Sequence, residues 1–139
     1  MDFLTLAIKD SAFLHLTHPA TREPMYFEDA KGKKKPVGML LGSQTCPQWR
    51  AAYDDAERAG QQYRKKGTQA PKHEIESRTV AMLQAITFGV QGINVGGTEV
   101  TPENVGELVY SNHSLRWIRR QVEMFNAEDA NFLEGAEQS

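Results

Sequence analysis

An α+β fold is predicted for this chain, with a small N-terminal antiparallel β subdomain and a helical C-terminal portion, and three observations predict it. Short apolar runs separated by turn residues fill the stretch from Ser11 to about Ser43. At Thr45 the apolar spacing changes from two residues to three and four, the period of a helix. A length of 139 residues suits one domain. Residues 1–44 and 45–139 are therefore expected to differ in local structure but to form one compact unit.

Taken in order, Met1 to Lys9 reads as a further strand or a mobile arm. In the first strand Phe13, His15 and Thr17 share one face, and Ala12, Leu14, Leu16 and His18 the other. Pro19 to Pro24 supplies a turn. Met25 to Glu28 is the second strand, Asp29 to Pro36 a charged loop containing Gly32, and Val37 to Leu41 the third strand. Thr45-Cys-Pro-Gln48 matches a capping box with Thr45 as the cap. The helix it opens carries Trp49, Ala52, Tyr53, Ala56, Gly60 and Tyr63 on one face and runs to about Lys66, where Gly67 can end it.

After Gln69-Ala-Pro71, a second and more hydrophobic helix is expected from about Lys72 to Phe88, lined by Ile75, Thr79, Met82, Leu83, Ile86 and Val90. Gly89 to Thr98 holds too many glycines for a helix and reads as a turn with a short extended piece. Thr101-Pro-Glu-Asn104 caps a short helix to about Tyr110. Ser111 or Ser114 caps the last long helix, with Leu115, Ile118, Val122 and Phe125 as its apolar stripe and an Arg119–Glu123 pair on its wet side. A final turn ends with Phe132 and Leu133, and Glu134 to Ser139 reads as a frayed acidic tail.

Composition narrows the function classes. Hydrophobic residues at 40% and charged residues at 24% give enough apolar surface to fold, which argues against wholesale disorder. A net charge of −2 supplies no field for a polyanion, so nucleic-acid binding would need a local basic patch. The single cysteine, Cys46, forms no internal disulfide and fits a reducing compartment. The start of the chain lacks the basic leader of a signal peptide, and no apolar run approaches the roughly 18 residues that cross a bilayer. A soluble cytoplasmic protein with no membrane partner is expected.

No chemistry-bearing constellation emerges. On a strand, a spacing of three points His15 and His18 to opposite faces, so the pair cannot hold one metal ion, while His73 and His113 are isolated. Cys46 at a helix start could be an activated thiol, but no cysteine-protease signature surrounds it and a small packed thiol explains it as well. Gly89, Gly92, Gly96 and Gly97 match neither the Walker lysine pattern nor the dinucleotide-binding fingerprint and read as turn glycines. Asp54, Asp55 and Glu57 sit on the wet face of a helix. The expectation is no enzyme, no cofactor and no metal.

Two basic clusters remain, Lys31, Lys33, Lys34 and Lys35 in the loop and Arg116, Arg119 and Arg120 beside Trp117. The second could enter a DNA groove, yet Glu107, Glu123, Glu128 and Asp129 lie close in sequence and would repel phosphates. A solvated helix face or a protein-binding edge accounts for it better. Trp117 falls at the boundary of the buried arc, where a tryptophan flanked by arginines has the composition of an interface anchor.

The order of these features carries a resemblance. Leu14-His-Leu-Thr-His-Pro-Ala-Thr-Arg-Glu-Pro24, the strand Pro36-Val-Gly-Met-Leu-Leu-Gly-Ser43 leading into Trp49-Arg-Ala-Ala-Tyr53, and Leu108 to Val122 followed by Asn131-Phe132 span most of the chain. Together they resemble the tail assembly chaperones of long-tailed, siphovirus-type bacteriophages.

The resemblance implies a chaperone that coats the aggregation-prone tape measure protein in the host cytoplasm and helps recruit the major tail tube protein. Such a chaperone is absent from the mature virion, and its relatives often have a longer frameshifted form. No family residue with a chemical role carries over. Residues expected to contact the client are Met82, Leu83 and Ile86 of the second helix with Leu115, Trp117, Ile118 and Val122 of the last, forming one groove for an apolar helix face. The sheet is left for self-association or contact with the tube protein. The alternatives are a structural tail protein of the tube or tail-completion type and a small DNA-binding regulator.

Overall fold

The structure, a computed structural model, describes residues 1–134. It is an α+β fold with strands mostly in the N-terminal part and helices mostly in the C-terminal part. The central sheet is antiparallel and runs β1 (Ser11–His15), β4 (Gly38–Gly42), β5 (Thr87–Gln91). Leu14 stands opposite Met39, and with Leu16 and Leu41 these residues turn one face of the sheet into the core. At Gly38 the neighbouring strand β1 leaves no room for a side chain. A Cβ there would run into the Leu14 carbonyl oxygen and come within 2.6 Å of the Phe13 ring.

The strands of residues 11–43 do not form one sheet. β2 (Tyr26–Glu28) pairs instead with β3 (Lys34–Pro36) in a separate hairpin. The expected loop of Asp29 to Pro36 is accordingly shorter: Asp29 Oδ1 accepts the Lys31 and Lys33 backbone N–H groups at 2.9 Å each, which tightens the turn and frees Lys34 to Pro36 to pair.

The third strand of the central sheet comes from the expected helix end. α2 (Lys72–Ala85) stops at Ile86, and Thr87 to Gln91 extends along β4, with Phe88 as an extra residue between the pairs Leu41–Thr87 and Leu40–Gly89. Threonine, phenylalanine and valine suit a strand, and pairing with β4 outweighs the helical spacing that Ile86 and Val90 share. The following hairpin, β6 (Asn94–Val95) and β7 (Thr98–Glu99), turns at Gly96–Gly97.

Helix α1 (Pro47–Lys65) is capped by Cys46 and not by Thr45. Pro47 occupies the first helical position, which fixes the cap one residue earlier, and the Cys46 sulfur accepts the Trp49 N–H at 3.4 Å. Thr45 bonds Ser43 instead, at 2.8 Å. At the other end Gly67, with φ of 72°, lets the Thr68 N–H reach the Tyr63 carbonyl and closes the helix.

The short helix before Tyr110 is a π-helical turn, Gly106–Tyr110. Asn112, and neither Ser111 nor Ser114, caps the turn of 3₁₀ helix that leads into α3 (Arg116–Ala127). Met1 to Lys9 forms no strand. A turn of 3₁₀ helix at Phe3–Leu6 leaves Phe3 and Leu4 exposed, and the Lys9 N–H binds the Phe132 carbonyl at 2.8 Å. The acidic tail expected from Glu134 lies, beyond that residue, outside the described residues.

One core draws on both sides of residue 44. Leu14, Leu16, Met39 and Leu41 join Ile86, Val109, Val122 and Phe132 in a single buried cluster. The change at residue 45 is one of local pattern and divides no core.

Candidate partner-binding surfaces

The seven residues expected to form one groove separate in the structure. Leu83, Ile86 and Val122 are buried in the core and present no surface to a partner, while Ile118, also buried, lines the floor of a depression with Leu115 and Trp117. The physical reason is that the strongest aliphatic stripes are the ones that fill the interior. Met82, Leu115 and Trp117 remain half-buried at the surface, but on two different depressions.

The first depression is the seam between α1 and α2. α1 buries no side chain completely, because its inward face is built from alanine and glycine. Ala52, Ala56 and Ala59 face Ala81, Met82 and Ala85 across an open groove of about 350 Å³. Small side chains on both walls cannot interdigitate deeply, so the seam stays unfilled along its outer side. Asp55 and Arg78 stand at its edge, paired with Arg58 at 2.6 Å and Glu74 at 2.7 Å. Its interior offers no free charge to a small polar ligand and suits a ridge of apolar side chains.

Next to this groove, Trp49, Arg50, Tyr53 and Asp54 form a shallow surface depression with Gln44. Tyr53 is exposed and Trp49 half-buried, a composition enriched at protein interfaces. Sequence reasoning placed both on the inward face of α1. The available signal was width: aromatic residues at 49 and 53 lie to one side of the alanines at 52, 56 and 59.

The second depression lies at the start of α3. Leu115 and Trp117 border it with Leu16, Met25, Val37 and Val95, around a volume of about 190 Å³.

Polar clamps hold these surfaces in place. At the connected end of the α1–α2 pair, beside the loop of residues 66–71, the Tyr63 hydroxyl donates to Glu74 Oε2 while Arg78 reaches Glu74 Oε1. The Tyr63 hydrogen bond, with Arg78 assisting, keeps the Glu74 carboxyl below its usual range. Between α2 and α3, Arg119 forks onto both oxygens of Glu76, binds Glu123 at 2.8 Å and donates to the Tyr110 carbonyl at 3.2 Å. The expected Arg119–Glu123 pair is therefore present, but Arg119 is only 17% exposed and not on a wet face.

The Arg119 hydrogen bond is also what holds the Glu76 carboxyl below its ordinary value of 4.5. A depressed pKa in the folded state stabilises above 4.5 and stops doing so as pH falls through the folded value. With Glu76 46% exposed, solvent screening reduces the effect. Arg119→Met is expected to cost about 1–2 kcal/mol at neutral pH, and to flatten the loss of stability below pH 4.5 in urea titrations. Equal acid sensitivity in both proteins would exclude this clamp as its source.

Several of the remaining candidates have structural partners. His15 is buried with Nε2 at 2.7 Å from the Met25 carbonyl, and exposed His18 accepts the Ala20 and Thr21 N–H groups. His73 and His113 are exposed. Cys46 is fully buried. In the loop cluster Lys35 pairs with Asp29 at 3.4 Å and Lys34 sits 4.2 Å from the centre of the Tyr26 ring. In the second cluster Arg119 is committed to Glu76 and Glu123, which leaves Arg116 and Arg120 exposed. No helix among the described residues is long and apolar enough to cross a membrane. No protein-family model, curated protein or solved structure matches the chain.

Proposed function

We propose that this protein is a tail assembly chaperone of a long-tailed bacteriophage, which binds apolar helical stretches of the tape measure protein and keeps them soluble in the host cytoplasm without any chemical turnover. The observation that carries the reading is the unfilled groove between α1 and α2, with five alanines and Met82 along its walls. A tape measure protein is long and helical, and the apolar ridges of a helix fit a trough with small residues on both sides. The resemblance along Leu14–Pro24, Pro36–Ser43, Trp49–Tyr53 and Leu108–Val122 with Asn131-Phe132 supports the same reading. Trp49 and Tyr53, beside the groove, supply anchor residues, and recruitment of the tail tube protein would use surfaces away from it.

Co-expression with a tape measure fragment tests the proposal. The wild-type chain is expected to move the fragment into the soluble fraction. Met82→Glu sets a charge in the groove and is expected to weaken binding by about tenfold or more, roughly 1.4 kcal/mol. Urea denaturation of the variant checks that the fold survives. Fragment solubility unchanged by the wild-type chain, or recovery of the chain as a stoichiometric component of purified virions, would overturn the proposal; the second result favours a structural tail protein.

A further inference from the structure

The geometry points to head-to-tail self-association, in which the apolar turn Phe3–Leu6 of one copy seats in the pocket beside Trp117 of the next. The inference is independent of the client's identity. Phe3 is 75% exposed, Leu4 81% and Leu6 50%, so three large apolar side chains lie within four residues with little covering them. Such a concentration of apolar surface on one turn is unfavourable in water unless another surface meets it.

The same chain carries a matching recess. The pocket bordered by Leu16, Met25, Val37, Val95, Leu115 and Trp117 has a volume of about 190 Å³. That is below the roughly 300–1,000 Å³ of small-molecule sites and is the scale of one or two apolar side chains. Charge also fits. Asp2 precedes Phe3, and the exposed Arg116, adjacent in sequence to Leu115 and Trp117 of the pocket, has no ion pair among the described residues.

The two surfaces are at opposite ends of the molecule, which decides the occupant. The N-terminal turn is tethered where Lys9 binds Phe132, Ser43 binds Asp10, and Asn126 binds Gly42. The pocket is at the other end of β1 and α3, at Leu16 and Trp117. Along β1 the distance from Lys9 to Leu16 is about 23 Å at strand rise. The six Cα-to-Cα steps from Phe3 to Lys9 reach about 20 Å at full extension, and the 3₁₀ turn shortens them further. In this structure the turn lies at the far end from its own pocket, and the pocket of a neighbour is open to it.

A contact between two different surfaces is heterologous, so copies add head to tail, into a ring where the rotation closes and an open chain where it does not. A plug of this size buries less than the roughly 1,200 Å² of a stable interface, so association is weak and concentration-dependent.

Sedimentation velocity of the full chain from low to high micromolar concentration tests the inference. The weight-average mass is expected to rise with concentration past two copies. The plug variant Phe3→Ser/Leu4→Ser and the pocket variant Val95→Arg are each expected to associate about tenfold or more weakly than wild type. Mixed together, they retain one intact plug and one intact pocket between them, and a complex that stops at one copy of each is expected.

Should Val95→Arg not fold, a peptide of residues 1–9 replaces it. The peptide is expected to block association of the wild-type chain and to shift Trp117 emission in the Trp49→Phe protein. A constant monomer mass overturns the inference, as does a plateau at two wild-type copies, association undiminished by the plug substitutions, folded variants that do not pair, or a peptide without effect. Binding of the exposed turn to phosphatidylcholine vesicles in place of a second copy overturns it equally.

Discussion

Replacing Phe132 by alanine is expected to lower stability by about 3–5 kcal/mol, the usual loss for a fully buried aromatic side chain. Phe132 belongs to a short 3₁₀ turn, Asp129–Phe132, yet it is completely buried and meets Phe125 edge-on with ring centres 5.3 Å apart. Its carbonyl also receives the Lys9 N–H at 2.8 Å, so the same turn holds the start of the chain against its end. Domains of this size are stable by only about 5–15 kcal/mol, so the variant loses a large part of the total.

In urea unfolding, the Phe132→Ala midpoint should fall sharply with little change in slope. Phe132→Leu, which keeps most of the volume, should lose less than about 1.5–2 kcal/mol. A Phe132→Ala protein within 1 kcal/mol of wild type, a small fraction of the about 3–5 expected, would remove the last turn from the core.

Local regularities were readable in advance. Ile118, Val122 and Phe125 recur at three and four residues, and α3 buries all three. The Arg119–Glu123 pair follows from a spacing of four. What was hidden depends on distant parts of the chain. Thr87 to Gln91 continues the helical spacing of α2 on paper, and only its pairing with β4, nearly fifty residues earlier, makes it a strand. Glu76 is 43 residues from Arg119, so nothing local announces the clamp that draws that arginine inward.

The candidate surfaces were harder to read for a related reason. A stripe of leucine, isoleucine and valine marks a face that leaves water without saying whether the core or a partner covers it. Leu83, Ile86, Ile118 and Val122 went to the core. The weaker alanine pattern of α1, with Met82 opposite, is what stays open.

Alkaline pH is expected to weaken the fold through Tyr110. Its ring is 2% exposed, and its hydroxyl is 2.7 Å from Thr87 Oγ1 and 3.5 Å from Met39 Sδ. Burial pushes the phenol up from 10 to about 12, a rise the Thr87 hydrogen bond only partly offsets. A raised folded pKa means that the native state holds its proton after the unfolded chain has released it. The associated stability is complete below pH 10 and disappears between pH 10 and about 12. Two pH units correspond to about 2.7 kcal/mol.

Tyr110→Phe separates this from general alkaline damage. Thr87 keeps its bond to the Leu83 carbonyl at 2.7 Å, so the substitution orphans no buried group. A loss of only about 1 kcal/mol at neutral pH is expected. Because phenylalanine has no proton to release, its stability curve should fall less steeply above pH 10 and cross that of the wild type before pH 12. Parallel urea midpoints for the two proteins across that range would show that other groups control alkaline unfolding.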